Sequence, residues 1–175
     1  MRTIKGLKYS INSENHFKGI PFFKKLKTTI FLISENQVAE FLIDKNHYSI
    51  IFPNSEKIEI YCENEIGTEF KIIDLADGRT WGFSDPNKGF SILKKSPEYL
   101  IESSNIKIDI DIRNSSLIYS IEKNIIGRIE DKNILFKNGT NRIDVFDEKY
   151  ERILISACCV ELIRYHILKI YEPND

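Results

Sequence analysis

The fold is decided by the stretch Ile153-Leu-Ile-Ser-Ala-Cys-Cys-Val-Glu-Leu-Ile163, which is part of a helix pattern that runs from Asp147 to Tyr171. Only Ser156 and Glu161 interrupt the apolar run, so the pattern is apolar on nearly all faces rather than along one stripe. About eleven residues are too few to cross a bilayer, which needs about twenty. The stretch therefore predicts a helix that is buried in the core.

Short runs of strand-forming residues precede this helix. The clearest is Ile106-Lys-Ile-Asp-Ile-Asp-Ile-Arg113, where four Ile alternate with charged residues and predict a half-buried antiparallel strand. Asp77-Gly78 and Asn138-Gly139 are turn signals between other runs. The predicted strands are 28–33, 39–43, 48–52, 57–62, 70–75, 106–113, 117–121, 125–129, 133–136 and 142–146.

These strands and the helix predict a mainly β fold with one long C-terminal helix. We expect a closed antiparallel β-barrel of about 12 strands around the buried helix, because closure removes the sheet edges and encloses the apolar helix. No linker of Pro, Gly or Ser divides the chain, which predicts a single domain over residues 1–175. Gly follows a bulky residue in both Trp81-Gly82 and Ile126-Gly127, which indicates either an internal repeat or two hairpins with bulges.

Composition excludes disorder and predicts no transmembrane segment, since 42% of the residues are hydrophobic and 29% are charged. Residues 1–9 lack the apolar core of a secretory signal, which argues against export. The neighbours Cys158 and Cys159 lie within the predicted helix, where we interpret them as core thiols, with a redox role as the alternative. The expected location is cytoplasmic, with peripheral membrane association as an extension of it.

The sequence contains no strong catalytic or metal-binding signature. Its three His residues are scattered, and no His-x-x-x-His, Cys-x-x-Cys, nucleophile elbow or phosphate-binding Gly loop occurs. Asp109 and Asp111 share one strand face, but they lie between Lys107 and Arg113, which favours a solvated face over a cation site. We therefore expect a protein that is not an enzyme and has no cofactor and no metal.

Glu161 is the one carboxylate within the apolar run of the helix. A buried carboxylate is unfavourable unless a cation pairs with it. Arg164 follows three residues later, a spacing that allows the two side chains to meet on a helix. We expect a structural ion pair here, with contact to a ligand as the alternative.

The best candidate for a functional surface is the segment from Phe17 to Lys27. Residues 1–27 contain seven Lys or Arg and a single acid, Glu14, whereas the rest of the chain is net acidic. Aromatic rings interleaved with lysines suit the interface of an anionic membrane. The alternatives are core packing with lysines that guard an edge strand, a protein partner, and single-stranded nucleic acid as the least favoured. The candidate residues are Phe17, Lys18, Phe22, Phe23, Lys24, Lys25 and Lys27.

The end of the chain resembles a known superfamily. The strand-turn-strand from Ile134 to Phe146, the acidic residues 147–151 and the apolar residues 153–160 are similar to the end of the tubby C-terminal-like superfamily. This superfamily includes tubby, the phospholipid scramblases and the LURP-one-related proteins. The resemblance implies a closed barrel threaded by its C-terminal helix. It also implies a non-catalytic binding role, since tubby binds phosphoinositide headgroups and scramblases act at membranes.

Two functions follow as hypotheses. The first is a non-catalytic binding module that acts at an anionic membrane surface or on a lipid, which the Phe/Lys segment and the resemblance favour. The alternative is a cytosolic protein-interaction module, such as an immunity protein that neutralises a partner toxin. The small size of this chain and the net acidic charge of the residues after position 27 favour that alternative.

Overall fold

The computed structural model describes residues 7–18, 25–32, 39–44, 47–86, 98–103, 105–113, 116–130 and 140–166, and for residues 7–44 it describes the backbone alone. Twelve strands come first in this part of the chain, and a short 3-10 helix (Glu148–Tyr150) leads into one α-helix, α1 (Glu151–His166). The strands are β1 (Leu7–Lys18), β2 (Lys25–Leu32), β3 (Ala39–Asp44), β4 (His47–Ile51), β5 (Lys57–Cys62), β6 (Glu69–Asp74), β7 (Thr80–Ser84), β8 (Glu98–Glu102), β9 (Lys107–Arg113), β10 (Ser116–Ile121), β11 (Asn124–Glu130) and β12 (Thr140–Val145).

The strands pair in the order of the chain. From β4 to β12 each strand is hydrogen-bonded to the next in antiparallel orientation. The backbone pairing continues from β4 through β3 and β2 to β1, and β1 also pairs with β12. The prediction of a mainly β, antiparallel protein with a C-terminal helix is thus confirmed.

One face of the sheet is apolar and forms the core. In β5, Ile58 and Ile60 are buried, while Glu59 and Tyr61, which alternate with them, are partly exposed. Ile108 and Ile110 of β9 are likewise buried, as the alternation in the sequence predicts. Because successive side chains of a strand point to opposite faces, these residues share the face that packs against α1.

The helix is buried along most of its length. Every residue from Ile153 to Glu161 is buried, which confirms the prediction of a core helix. Burial raises the pKa of the thiols of Cys158 and Cys159, so both stay neutral in the core. The hydroxyl of Ser156 donates a hydrogen bond of 2.8 Å to the carbonyl oxygen of Arg152. This buried polar group, which interrupts the apolar run, therefore has a hydrogen-bond partner.

A bulge and a glycine shape the contact between β11 and the helix. Tyr119 pairs with Gly127 and Ser120 with Ile125, so Ile126 is an extra residue in β11. A Cβ atom on Gly127 would lie 2.5 Å from Cδ1 of Leu154 in α1. The helix therefore lies so close to β11 that a larger residue here would have to displace the side chain of Leu154. Glycine avoids this contact, and the Ile126-Gly127 pattern marks a bulged hairpin.

The structure differs from the sequence-based prediction in three strands. Most predicted strands agree with the observed ones to within a few residues, and Gly78 has the positive φ (+72°) that the predicted turn requires. The strands β1, β7 and β8 were not among the predicted ones. The predicted strand 133–136 and the Asn138-Gly139 turn lie outside the described residues.

Neither helix of the described chain combines the length and the apolarity needed to span a bilayer.

Candidate functional site

The described residues of the predicted surface, namely 17–18 and 25–27, lie at one end of the paired strands β1 and β2. Lys18 pairs with Lys25, and His16 pairs with Lys27. Since alternate positions of paired strands share a face, the three lysine positions lie on the same face of this hairpin. The other candidates, Phe22, Phe23 and Lys24, lie outside the described residues.

Phe17 occupies the opposite face from these lysines. Its backbone partner is Leu26, and both alternate with the lysine positions. The same face of β1 includes Tyr9, whose partner Ile143 is completely buried. The register thus assigns the position of Phe17 to the core face of the sheet and separates it from the lysines.

The lysine positions lie at the end of β1 that follows its described pairing with β12. Among the described residues, β1 pairs with β12 only from Leu7 to Asn12, whereas it pairs with β2 from Ile11 to Lys18. We call residues 13–18 and their partners 25–30 the lysine arm. The arm contains three lysines and one acid, Glu14. A positively charged arm of this kind can meet an anionic surface.

A second region of charge lies at the opposite end of the sheet, which we call the helix-entry end. Because consecutive strands are antiparallel, the turns after β4, β6, β8 and β10 all lie at this end, together with residues 146–152 after β12. Carboxylates outnumber bases in the described part of these segments. The acids are Glu56, Asp77, Glu122, Asp147, Glu148 and Glu151, and the bases are Arg79, Lys123, Lys149 and Arg152.

Arg152, in the first turn of α1, organises the helix-entry end. Its Nη2 donates to Oδ1 of Asp74 at 2.8 Å, its Nε donates to Oδ2 of Asp74, and its Nη1 donates to Glu56. The centre of the guanidinium lies 4.7 Å from the centre of the Phe52 ring. Burial alone would lower the pKa of Arg152, but the hydrogen bonds and charge of Asp74, together with Glu56, raise it above its ordinary value. Arg152 is therefore charged, and two carboxylates balance its charge.

A cavity of about 230 Å³ opens beside this cluster. Its apolar walls are Phe52, Pro53 and Ile155, and its polar lining comes from Asn54, Glu56, Glu151 and Arg152. Pockets for drug-sized ligands have volumes of about 300–1,000 Å³. This cavity is smaller and has the size of a single side chain.

A second ion cluster lies in the core, at the other end of α1. Nη2 of Arg164 donates to Oδ2 of Asp85 at 2.6 Å, and Nη1 donates to Oε1 of Glu161 at 3.1 Å. All three side chains are at most 2% exposed. The predicted pair of Glu161 with Arg164 is confirmed. Its burial indicates a structural role.

The carboxylates of β9 form ion pairs along the strand. Asp109 lies 2.8 Å from Nζ of Lys107, and Asp111 lies 3.2 Å from Nη2 of Arg113. These pairs agree with the interpretation of a solvated strand face. In the part of the chain that the structure describes, no three His, Cys or acidic residues are grouped as metal ligands would be.

Sequence reasoning missed Asp85, Asp74 and Glu56 as partners of the two helix arginines. Asp85 precedes Arg164 by 79 residues, and Asp74 precedes Arg152 by 78. A pairing at such a distance has no spacing rule in the sequence. The i, i+3 spacing of Glu161 and Arg164 is local, and it could be recognised.

Comparison with known proteins found no relative: no family model, no curated protein and no solved structure matches this chain. The roles of its residues therefore follow from the geometry and charge of the chain itself.

Proposed function

We propose that the chain is a non-catalytic binding module whose lysine arm binds an anionic membrane surface. The observation that carries this proposal is the register that gathers Lys18, Lys25 and Lys27 on one face of the lysine arm. Each lysine held near an anionic leaflet contributes about 1 kcal/mol of binding free energy. In this proposal Phe22 and Phe23 add apolar contact with the headgroup layer.

We further infer that the twelve strands close into a barrel around α1, as in the tubby C-terminal-like superfamily that the sequence resembles. The double pairing of β1, with β12 on one side and β2 on the other, supports closure. A barrel filled by its own helix binds partners at its rims and outer surface rather than inside. The membrane roles within that superfamily agree with a cytoplasmic, membrane-peripheral protein.

Co-sedimentation with liposomes tests the membrane proposal. Vesicles of phosphatidylcholine alone are compared with vesicles that also contain phosphatidylserine, at low and at physiological salt. We expect binding to the anionic vesicles only, and weaker binding at the higher salt because the Debye length shortens. The variant K18E/K25E/K27E should bind about a hundredfold more weakly, since it loses about 1 kcal/mol for each lysine of the arm.

A matched control separates the lysine arm from net charge. The variant K71E/K123E/K149E changes the net charge by the same amount at three exposed lysines elsewhere. It should bind anionic vesicles within a few-fold of the unchanged protein. Equal losses in both variants, or no binding to any vesicle, would contradict the proposal.

A second candidate is a cytosolic protein-interaction module, such as an immunity protein that neutralises a toxin. The excess of carboxylates at the helix-entry end favours it, because such a surface complements a basic partner. The test is a toxin-like gene beside the gene for this chain, followed by size-exclusion chromatography of the two proteins together. Co-elution supports this candidate, and separate elution at micromolar concentration rejects that partner.

A further inference from the structure

We infer that the cavity beside Arg152 is a docking site for a cationic side chain, Lys or Arg, of a protein partner. The cavity lies at the helix-entry end, and the lysine arm lies at the opposite end of β1. The inference is therefore independent of membrane binding. It names the contact through which a protein-interaction module of this structure would act.

The charges around the cavity favour a cation. Glu56 and Glu151 line it, and Asp74 lies behind Arg152. The carboxylates of Asp74 and Glu56 outweigh the single charge of Arg152 together with the partial positive charge, about half an elementary charge, of the helix N-terminus. The remaining excess is negative, and the neighbouring turns, where carboxylates outnumber bases, add to it.

An anion is the alternative occupant, because Arg152 lies at the start of a helix. Its Nε, Nη1 and Nη2 already donate to Asp74 or Glu56. An anion would have to displace one of these carboxylates and would then lie beside it. Both effects are unfavourable in a partly buried site, where charges are weakly screened. The geometry thus selects a cation over an anion.

The shape of the cavity suits the stem of a Lys or Arg side chain. Phe52, Pro53 and Ile155 offer apolar contact to the methylene groups while the carboxylates meet the charged head. Two backbone hydrogen bonds hold the turn after β4, which forms part of the apolar wall. The N–H of Phe52 donates to the carbonyl of Glu56 at 2.9 Å, and the N–H of Ser55 donates to the carbonyl of Phe52 at 2.9 Å. A preformed site binds without first ordering its own residues.

Titration of the full chain with small cationic probes, followed by amide NMR, tests this inference. The probes are N-acetyl-arginine amide and N-acetyl-lysine amide, and N-acetyl-citrulline amide is the neutral analogue of the first. We expect saturable shifts at the amides of residues 52–56 and 151–155 with a dissociation constant of about 1–10 mM, the range of a single side-chain contact. The neutral analogue should give shifts at least tenfold smaller at the same concentration.

Matched variants locate the site. E56Q/E151Q should weaken binding of the arginine probe about tenfold, whereas E122Q/E148Q, with the same change in charge at exposed residues of the same end, should leave it within twofold. Glu151→Gln alone keeps the Glu56–Arg152 contact and should weaken binding about threefold, so the test survives if the double variant does not fold. Equal shifts with the citrulline probe, shifts elsewhere, or none at about 50 mM would overturn the inference. Failure of liposome binding would leave it unaffected.

Discussion

The two arginines of α1 are held in similar ways but in different surroundings. Each pairs with an aspartate some eighty residues earlier and with one glutamate, and each lies about 5 Å from a Phe ring. Arg164 is completely buried, whereas the side chain of Arg152 is 24% exposed and lines a cavity. The same chemistry therefore serves two purposes: the buried cluster fixes the helix in the core, and the open cluster shapes a surface.

The largest effect is expected from Arg164→Met. The substitution leaves the carboxylates of Asp85 and Glu161 in the core without this cation. Breaking a buried ion pair by removing one partner costs about 3–5 kcal/mol. Urea unfolding, followed by circular dichroism, should show a loss of that size in the free energy of unfolding.

The triple variant R164M/D85L/E161L is the control for that prediction. Replacing a whole buried cluster with apolar residues is often neutral, because no charge is left unpaired. The triple variant should regain at least half of the lost stability. A triple variant as unstable as Arg164→Met would mean that shape, rather than charge, sets the stability of this site.

An intermediate effect is expected from Arg152→Met. Asp74 and Glu56 lose their hydrogen bonds to this arginine, but water reaches the site and screens the charges that remain. We expect a loss of about 1–2 kcal/mol in the free energy of unfolding in urea. In about 1 M NaCl the loss should shrink for Arg152→Met and stay unchanged for Arg164→Met, because salt screens only the exposed site. The same salt response in both variants would remove the distinction between the two clusters.

The smallest effect is a pKa shift at the helix-entry end. Burial alone would raise the pKa of Asp77, but hydrogen bonds from Arg79 and the charges of Arg79 and Arg152 hold it below its ordinary value. In Arg152→Met this pKa should rise slightly and remain below the ordinary value, as measured by NMR titration of the carboxyl group. An unchanged pKa would show that the charge of Arg152 does not reach the surface of this end.

The sign of the accompanying stability change follows from the direction of the shift. The pKa of Asp77 is lower in the folded protein than the value of about 3.9 in an unfolded chain. Its contribution to stability is therefore complete well above pH 4 and is lost as the pH falls through the folded value. Replacing Arg152 reduces this contribution, so the variant should depend less on pH in that range.

Local patterns in the sequence predicted most of the fold. The apolar run from Ile153 to Ile163 and the alternation in β9 each depend on neighbouring residues, and both predictions are confirmed. The strand β1 could not be predicted in this way, because Asn12, Glu14 and Asn15 form strands poorly. Its backbone is held by β2 and β12, and the pairing with β12 depends on residues far along the chain.

The candidate sites were less predictable than the fold. The cluster of Lys and Phe in residues 17–27 was visible in the sequence, but the division of Phe17 from the lysines required the register of the hairpin. The cavity at the helix-entry end was invisible, since the turn after β4 and the first turn of α1 are about a hundred residues apart. Composition reveals charge, whereas only folding brings those charges around a cavity.

Both aspartates that bind the arginines of α1 belong to the hairpin of β6 and β7. Asp74 is the last residue of β6, before the turn, and Asp85 directly follows β7. On the ribosome this hairpin is synthesised well before Arg152 and Arg164 of α1. At about 5–20 residues per second, the 79 residues from Asp85 to Arg164 take roughly 4–16 seconds. During that interval the two carboxylates have no helix arginine to bind, and charges that flank apolar strands oppose aggregation of incompletely folded chains. The same carboxylates later become the anchors of the helix.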